Sequence, residues 1–166
     1  MALPHTAAQK IHQLSDKARV WIYKSAQPFT AEQAATAGRR CLAFAADWMA
    51  HGAPLCAAAE VMADRFVVLA VDERQALASG CSIDSSLRFI QQLEAELGLS
   101  LTDRLVVVHE RDGALHSCRA DEVEGLLKQG LLTPETLVYD DLVTTVGDLK
   151  ARFRVPLRHT WMARWC

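Results

Sequence analysis

The segment Phe66-Val67-Val68-Leu69-Ala70-Val71 is apolar at every position. A strand turns successive side chains to opposite faces, so such a run needs cover on both sides. A bare face would leave an apolar patch of roughly several hundred Å², which monomers rarely carry. Two covers are open to it. A symmetric second copy could close two sheets together. Alternatively, the tail beyond Lys150 could fold across, since it supplies Phe153, Leu157, Trp161 and Trp165. The length of that tail and its large side chains favour the intramolecular cover.

The elements around this strand follow from local pattern. Thr6 to Lys17 reads as a short helix with Ile11, Leu14 and Ala18 at helical spacing. Val20-Trp21-Ile22-Tyr23 is β-branched and aromatic and reads as a strand. Thr30 and Gln33 form a capping box at the head of a long helix. Its expected buried stripe is Cys41, Leu42, Ala45, Trp48 and Met49, and Gly52 before Pro54 predicts its end near His51. Leu55 to Val61 is the next strand, and Met62 to Arg65 turns into the apolar run. A second long helix is expected from near Ser82 to Gly98, with Ile83, Leu87, Ile90, Leu93 and Leu97 on one face. Leu105 to Glu110 is a further strand.

From Val20 the order is β-α-β-β-α-β, the split pattern of ferredoxin-like folds. The fold class is therefore read as α+β, with a ferredoxin-like core over about residues 19–110 and an α/β extension over about 111–166. The extension opens with Asp112-Gly113, a strong signal for a tight hairpin. A short helix from Asp121 to Gln129, a strand from Thr136 to Tyr139 and a helix from Thr144 to Phe153 follow. No internal repeat or linker interrupts the chain, so residues 1–166 are expected to form one domain.

Composition removes several function classes. The chain has 166 residues, with 18 Lys and Arg against 20 Asp and Glu, a net charge of −2. There is no basic excess to collect phosphates, which argues against nucleic acid as a partner. No apolar run approaches the roughly 20 residues of a membrane span. Met1 to Lys17 lacks the apolar stretch of a secretion signal. The five cysteines, Cys41, Cys56, Cys81, Cys118 and Cys166, are odd in number and widely spaced. Reduced thiols in a cytoplasm are the expectation, with no cofactor, and a monomer or homodimer.

Three constellations could carry chemistry. Ser79-Gly80-Cys81-Ser82-Ile83-Asp84 lies at the head of the second helix, where free N–H groups attract anions and lower thiol pKa values. Cys81 is a candidate nucleophile there, with His51 as its base. Against that, Ser82 would serve as a cap, and the charge of Asp84 opposes both an anion and a thiolate. Asp72-Glu73, at a strand end, is a candidate carboxylate pair or a solvated terminus. A two-residue turn at Asp112-Gly113 would set His109 opposite His116, with Cys118 on the same face. Two imidazoles and a thiol suit zinc, but no fourth ligand is visible, so no metal is expected. Trp161 and Trp165 are read as packing residues.

Several strings together resemble a known family. They are Arg19 to Tyr23, Trp48 through His51-Gly52 to Leu55, Arg65-Phe66 through Asp72-Glu73, Ser79 to Asp84, Thr136 to Val138, and Trp161 through Arg164. The chain resembles an uncharacterised family of small bacterial proteins, common in the Bacteroidetes group and often labelled "ABC transporter ATPase". That resemblance implies no established activity. The label itself conflicts with the sequence, which lacks Gly-x-x-x-x-Gly-Lys-Ser/Thr and any Gly-Lys dipeptide. The chain departs from the family at Asp140-Asp141, where two asparagines are usual, and His109, His116 and Cys118 are no part of its pattern. Separately, Gly130 to Val138 resembles the second half of GYF-type peptide-binding modules, without their aromatic-Gly-Pro signature. The leading expectation is a non-enzymatic binding or interaction protein with its ligand surface near His51, Asp72, Glu73 and Ser79 to Asp84. The rival is a cysteine-dependent hydrolase or transferase using Cys81 and His51.

Overall fold

The computed structural model describes residues 9–74 and 76–166. The protein is a mixed α+β structure whose strand ladders are all antiparallel. Strand β1 (Arg19–Lys24) leads to helix α1 (Ala31–Asp47), then to a small hairpin of β2 (Met49–Ala50) and β3 (Ala53–Pro54). β4 (Cys56–Met62) and β5 (Phe66–Asp72) follow, then helix α2 (Gly80–Leu97). The second half holds β6 (Val106–Arg111), β7 (Ala114–Arg119), α3 (Val123–Lys128), β8 (Leu137–Tyr139), α4 (Val146–Arg152) and β9 (Arg154–Pro156).

The first sheet has the order β1-β5-β4, with the apolar run of β5 in the middle and buried at every residue. The split βαβ part of the expected core is thus formed: β5 lies between β1 and β4. The ferredoxin-like sheet is not completed. Its last strand would lie on the outer edge of β1, but β6 sits in a second sheet of order β7-β6-β8-β9. The reason is that both edges of β6 are already used, one by the hairpin partner β7 and the other by β8.

The second sheet is what covers β5. α1 and α2 pack on one face of the first sheet, against Val67, Leu69 and Val71. On the other face Phe66, Val68 and Ala70 meet Val106 and Val108 of β6 together with Val143, Val146 and Phe153. The far side of the second sheet, with Val107 and Val138, is closed by α3 and by Leu157 and Met162. The layers run helix, sheet, sheet, helix. The tail therefore covers β5 only through Phe153. Leu157 and Trp165 pack in the far layer, and Trp161 is exposed.

Four local expectations are corrected. α1 stops at Asp47, and the next residues form the β2–β3 hairpin. Gly52 does take a left-handed φ of 77°, but as the second residue of a turn with His51 at 51°, not as a helix C-cap. Leu42, Met49 and Leu87 are exposed and not part of the helix stripes. The first helix reduces to a single turn, Ile11–Gln13, and its expected start before Gln9 lies outside the described residues. Ile11, Leu14 and Ala18 are nevertheless buried as expected.

Candidate functional site

The residues singled out at the head of α2 are occupied with building the helix start. Ser79 is the N-cap: its Oγ accepts from the Ser82 backbone N–H at 3.1 Å, and its own N–H donates to Ser82 Oγ at 2.6 Å. The cap is therefore Ser79 and not Ser82. Ser82 is buried, and its carbonyl accepts from Trp48 Nε1 at 2.9 Å. Gly80, Cys81 and Asp84 are exposed. His51 is exposed at the β2–β3 turn, and no hydrogen bond joins it to Cys81 among the described residues.

The Asp72-Glu73 pair is also committed. Asp72 is buried and accepts from Arg74 Nε at 2.9 Å, Arg74 Nη2 at 2.6 Å and the Arg74 backbone N–H at 3.1 Å. Those bonds hold its carboxyl below the usual carboxylate range. Glu73 accepts from the Ala78 backbone N–H at 3.0 Å and from Arg19 Nη1 at 3.3 Å. These contacts pin the loop between β5 and α2.

The hairpin register is the expected one: Arg111 faces Ala114, His109 faces His116 and Val107 faces Cys118. The two imidazoles lie 5.9 Å apart and nearly parallel, at 24°. His109 is buried, and its Nδ1 has no hydrogen-bond partner among the described residues. Burial pushes the Cys118 thiol up to about 11, far from the thiolate a metal needs. Among the described residues no three His, Cys, Asp or Glu side chains gather as a ligand set.

The concave feature that sequence reasoning missed is a groove of about 630 Å³ along the outer edge of β1. It occupies the place of the absent fourth strand. The chain closes that edge at its two ends. The Lys24 N–H donates to the Leu101 carbonyl at 3.1 Å, and the Val20 N–H donates to the Thr144 carbonyl at 3.0 Å. Strand backbone groups alternate in direction, so the even residues of β1 point outward and the odd ones toward β5. Ser25, also odd, confirms the alternation by bonding the Arg65 carbonyl at 2.8 Å. The N–H and C=O of Ile22 therefore face the groove, and no described residue pairs with them. The open stretch from Val20 to Lys24 is roughly 13 Å long at strand rise.

The groove walls are apolar and its rims charged. Ile83 and Leu87 of α2 form one wall, while Leu142, Val143 and Trp161 lie on the other. Leu87, Leu142 and Trp161 are exposed at 43%, 60% and 39%, so three large apolar side chains stand open around one concavity. Of the charged residues here, Lys24 pairs with Asp141 at 2.6 Å, Asp140 with Arg152 at 2.9 Å, and Asp103 with Arg119 at 3.0 Å. Arg104 is exposed at the Lys24 end and meets no carboxylate among the described residues. The Tyr23 hydroxyl is pushed up by burial, opposed by Ser86 and by the nearby Arg104 charge.

No sequence signal pointed here, because the exposure of Leu142 and Trp161 that marks the groove is a tertiary fact. No protein-family model, curated protein or solved structure matches the chain. Among the described residues no helix is long and apolar enough to cross a membrane.

Proposed function

We propose that this is a non-enzymatic binding protein whose ligand lies in the groove along β1. The carrying observation is the Ile22 backbone pair left open between walls that expose Leu87, Leu142 and Trp161. Pockets that combine apolar walls with few polar groups of fixed direction are the common form of binding site. The groove is lined by Ile83 and Leu87 of α2 and not by His51, Asp72, Glu73, Ser79 or Asp84, so this reading sets the ligand apart from them. The five free cysteines support a reducing, cytoplasmic setting. The test uses 8-anilinonaphthalene-1-sulfonate, an apolar fluorescent probe. The native protein should bind it, and Leu142→Lys should weaken binding by about tenfold, the effect of losing one good apolar contact and adding a charge. Dye binding that Leu142→Lys leaves unchanged places the apolar site elsewhere and overturns the reading.

One observation favours the cysteine-enzyme alternative: Cys81 is exposed in the first turn of α2, where helix N–H groups lack internal partners. Alkylation of Cys81 near pH 7 much faster than that of the exposed Cys166 would support this alternative. Equal rates would remove it.

A further inference from the structure

We propose that the groove takes an extended peptide segment, which adds to β1 as a fourth antiparallel strand and carries an acidic residue toward Arg104. This rests on the groove being the binding site, as proposed above, and names what binds there.

Three observations carry it. First, the edge is a template. Ile22 offers one N–H and one C=O side by side, the pair an antiparallel partner residue exchanges hydrogen bonds with. The chain itself makes backbone contacts at both ends of the gap, a single hydrogen bond at Lys24 and an antiparallel bridge at Arg19. After α2 it reaches Lys24 through Leu101 and then leaves, and it returns at Thr144, where Arg19 and Thr145 form an antiparallel bridge. An added strand completes a sheet that the fold begins and does not finish. It would run from the Lys24 end toward the Val20 end.

Second, the walls fit an extended chain with apolar side chains on both faces. Residues of such a strand alternate between Ile83 and Leu87 on one side and Val143 and Trp161 on the other. The length of the gap selects a short segment of about four residues.

Third, the charge is complementary. Lys24, Asp103, Asp140 and Asp141 are already paired, so the net unanswered charge at the rim is the guanidinium of Arg104. An acidic side chain at the leading end of the segment meets it. A second copy of this chain is a poor occupant: its β1 is equally recessed behind the 101–104 and 140–144 segments, and two recessed edges do not reach each other.

The experiment selects a displayed library of random dodecapeptides on the immobilised full-length protein, with counter-selection on Leu142→Lys. The selected peptides should carry Asp or Glu just before a run of β-branched residues without proline. Binding should fall about thirtyfold or more when the residue opposite Ile22 is N-methylated, the scale of losing its N–H donor and leaving the Ile22 carbonyl unpaired. On the protein, Ile22→Pro removes an outward N–H that the fold does not use, and should cause a similar loss. Arg104→Glu, at an exposed site, should cost about tenfold and reverse the acidic preference, so the test does not depend on Ile22→Pro folding well. Bound peptide should protect the Ile22 amide from solvent exchange.

Several results overturn the inference. These are peptides that are proline-rich or patterned as amphipathic helices, affinity that N-methylation leaves unchanged, or a concentration-dependent dimer that protects Ile22. Dye bound in the groove with no enriched peptide sinks the inference and leaves the binding reading intact. Absence of both sinks both.

Discussion

His109 is 3% exposed, and His116, Arg111 and Arg65 all oppose a positive charge on it. Burial is the largest influence and lowers its pKa. In the unfolded chain the imidazole titrates near ~6.5, so below that pH the unfolded state binds more protons than the folded one. This contribution to stability is complete above about pH 6.5 and is lost as pH falls through the lowered folded value. Urea midpoints should therefore drop from about pH 7 to about pH 5.5, a range above most carboxylate titrations. In His109→Leu that drop should shrink; an undiminished drop assigns it to other groups. The thiols give a second residue-scale test. Burial pushes Cys41 up to about 12 and Cys118 up to about 11, while Cys81 and Cys166 are exposed. Iodoacetamide near pH 8 should label the exposed pair at least roughly tenfold faster, read by peptide mass spectrometry. The facing of His109 and His116 was legible because a two-residue turn fixes register from sequence alone. The burial of His109 was not, since it depends on the layer packed over β6.

Helix ends show the same division at the scale of elements. The Thr30–Gln33 box matches the sequence signature, and the structure forms both of its bonds, at 3.1 and 2.8 Å. The α2 box is made by two serines, which lies outside that signature, and so the cap was placed three residues late. Ser79→Ala should cost about 1 kcal/mol by denaturant titration, with Ser82→Ala costing more because Ser82 is also buried. A loss near zero for Ser79→Ala would show that the loop held by Glu73 fixes the helix start without the cap. The end of α1 was misread for a different reason. A helix C-cap and a hairpin turn both demand a left-handed residue, and Gly52 serves either. The sequence could not separate them because the pairing of Met49 with Pro54 is only two residues deep.

At the scale of the molecule, Phe66-to-Val71 made the need for two covers legible, but not the identity of the second. That choice turned on where β6 pairs, and β6 has two competing destinations. One edge of β6 goes to β7 across a two-residue turn; the other could meet β1, far back in the sequence, or β8, which is nearer and closes the shorter loop. Once β6 joins β7 and β8, the two sheets must pack face to face, and the β1 edge is left open as the groove. The seam between the sheets is centred on Phe66, Tyr139 and Phe153, whose rings lie 5.0 to 5.1 Å apart. Phe66 comes from the first sheet, Tyr139 from the second, and Phe153 from the segment leading into β9, so each half buries the other's aromatic face. Neither sheet keeps a complete core alone, and unfolding should be one transition. Phe153→Ala should cost about 3–5 kcal/mol, the range for a buried Phe. It should shift tryptophan fluorescence and far-ultraviolet dichroism to the same lower urea midpoint. Trp48 reports the helix layer behind the first sheet and Trp165 the layer behind the second. Two separated midpoints would show that the sheets unfold independently and that the aromatic seam does not couple them. Deleting the chain after Lys150 should act more severely than Phe153→Ala. It removes Phe153 from the seam and Leu157 and Met162 from the far layer, so apolar surface is exposed on both faces of the second sheet. A truncated protein that stays monomeric with an unchanged midpoint would contradict the placement of the tail in two layers.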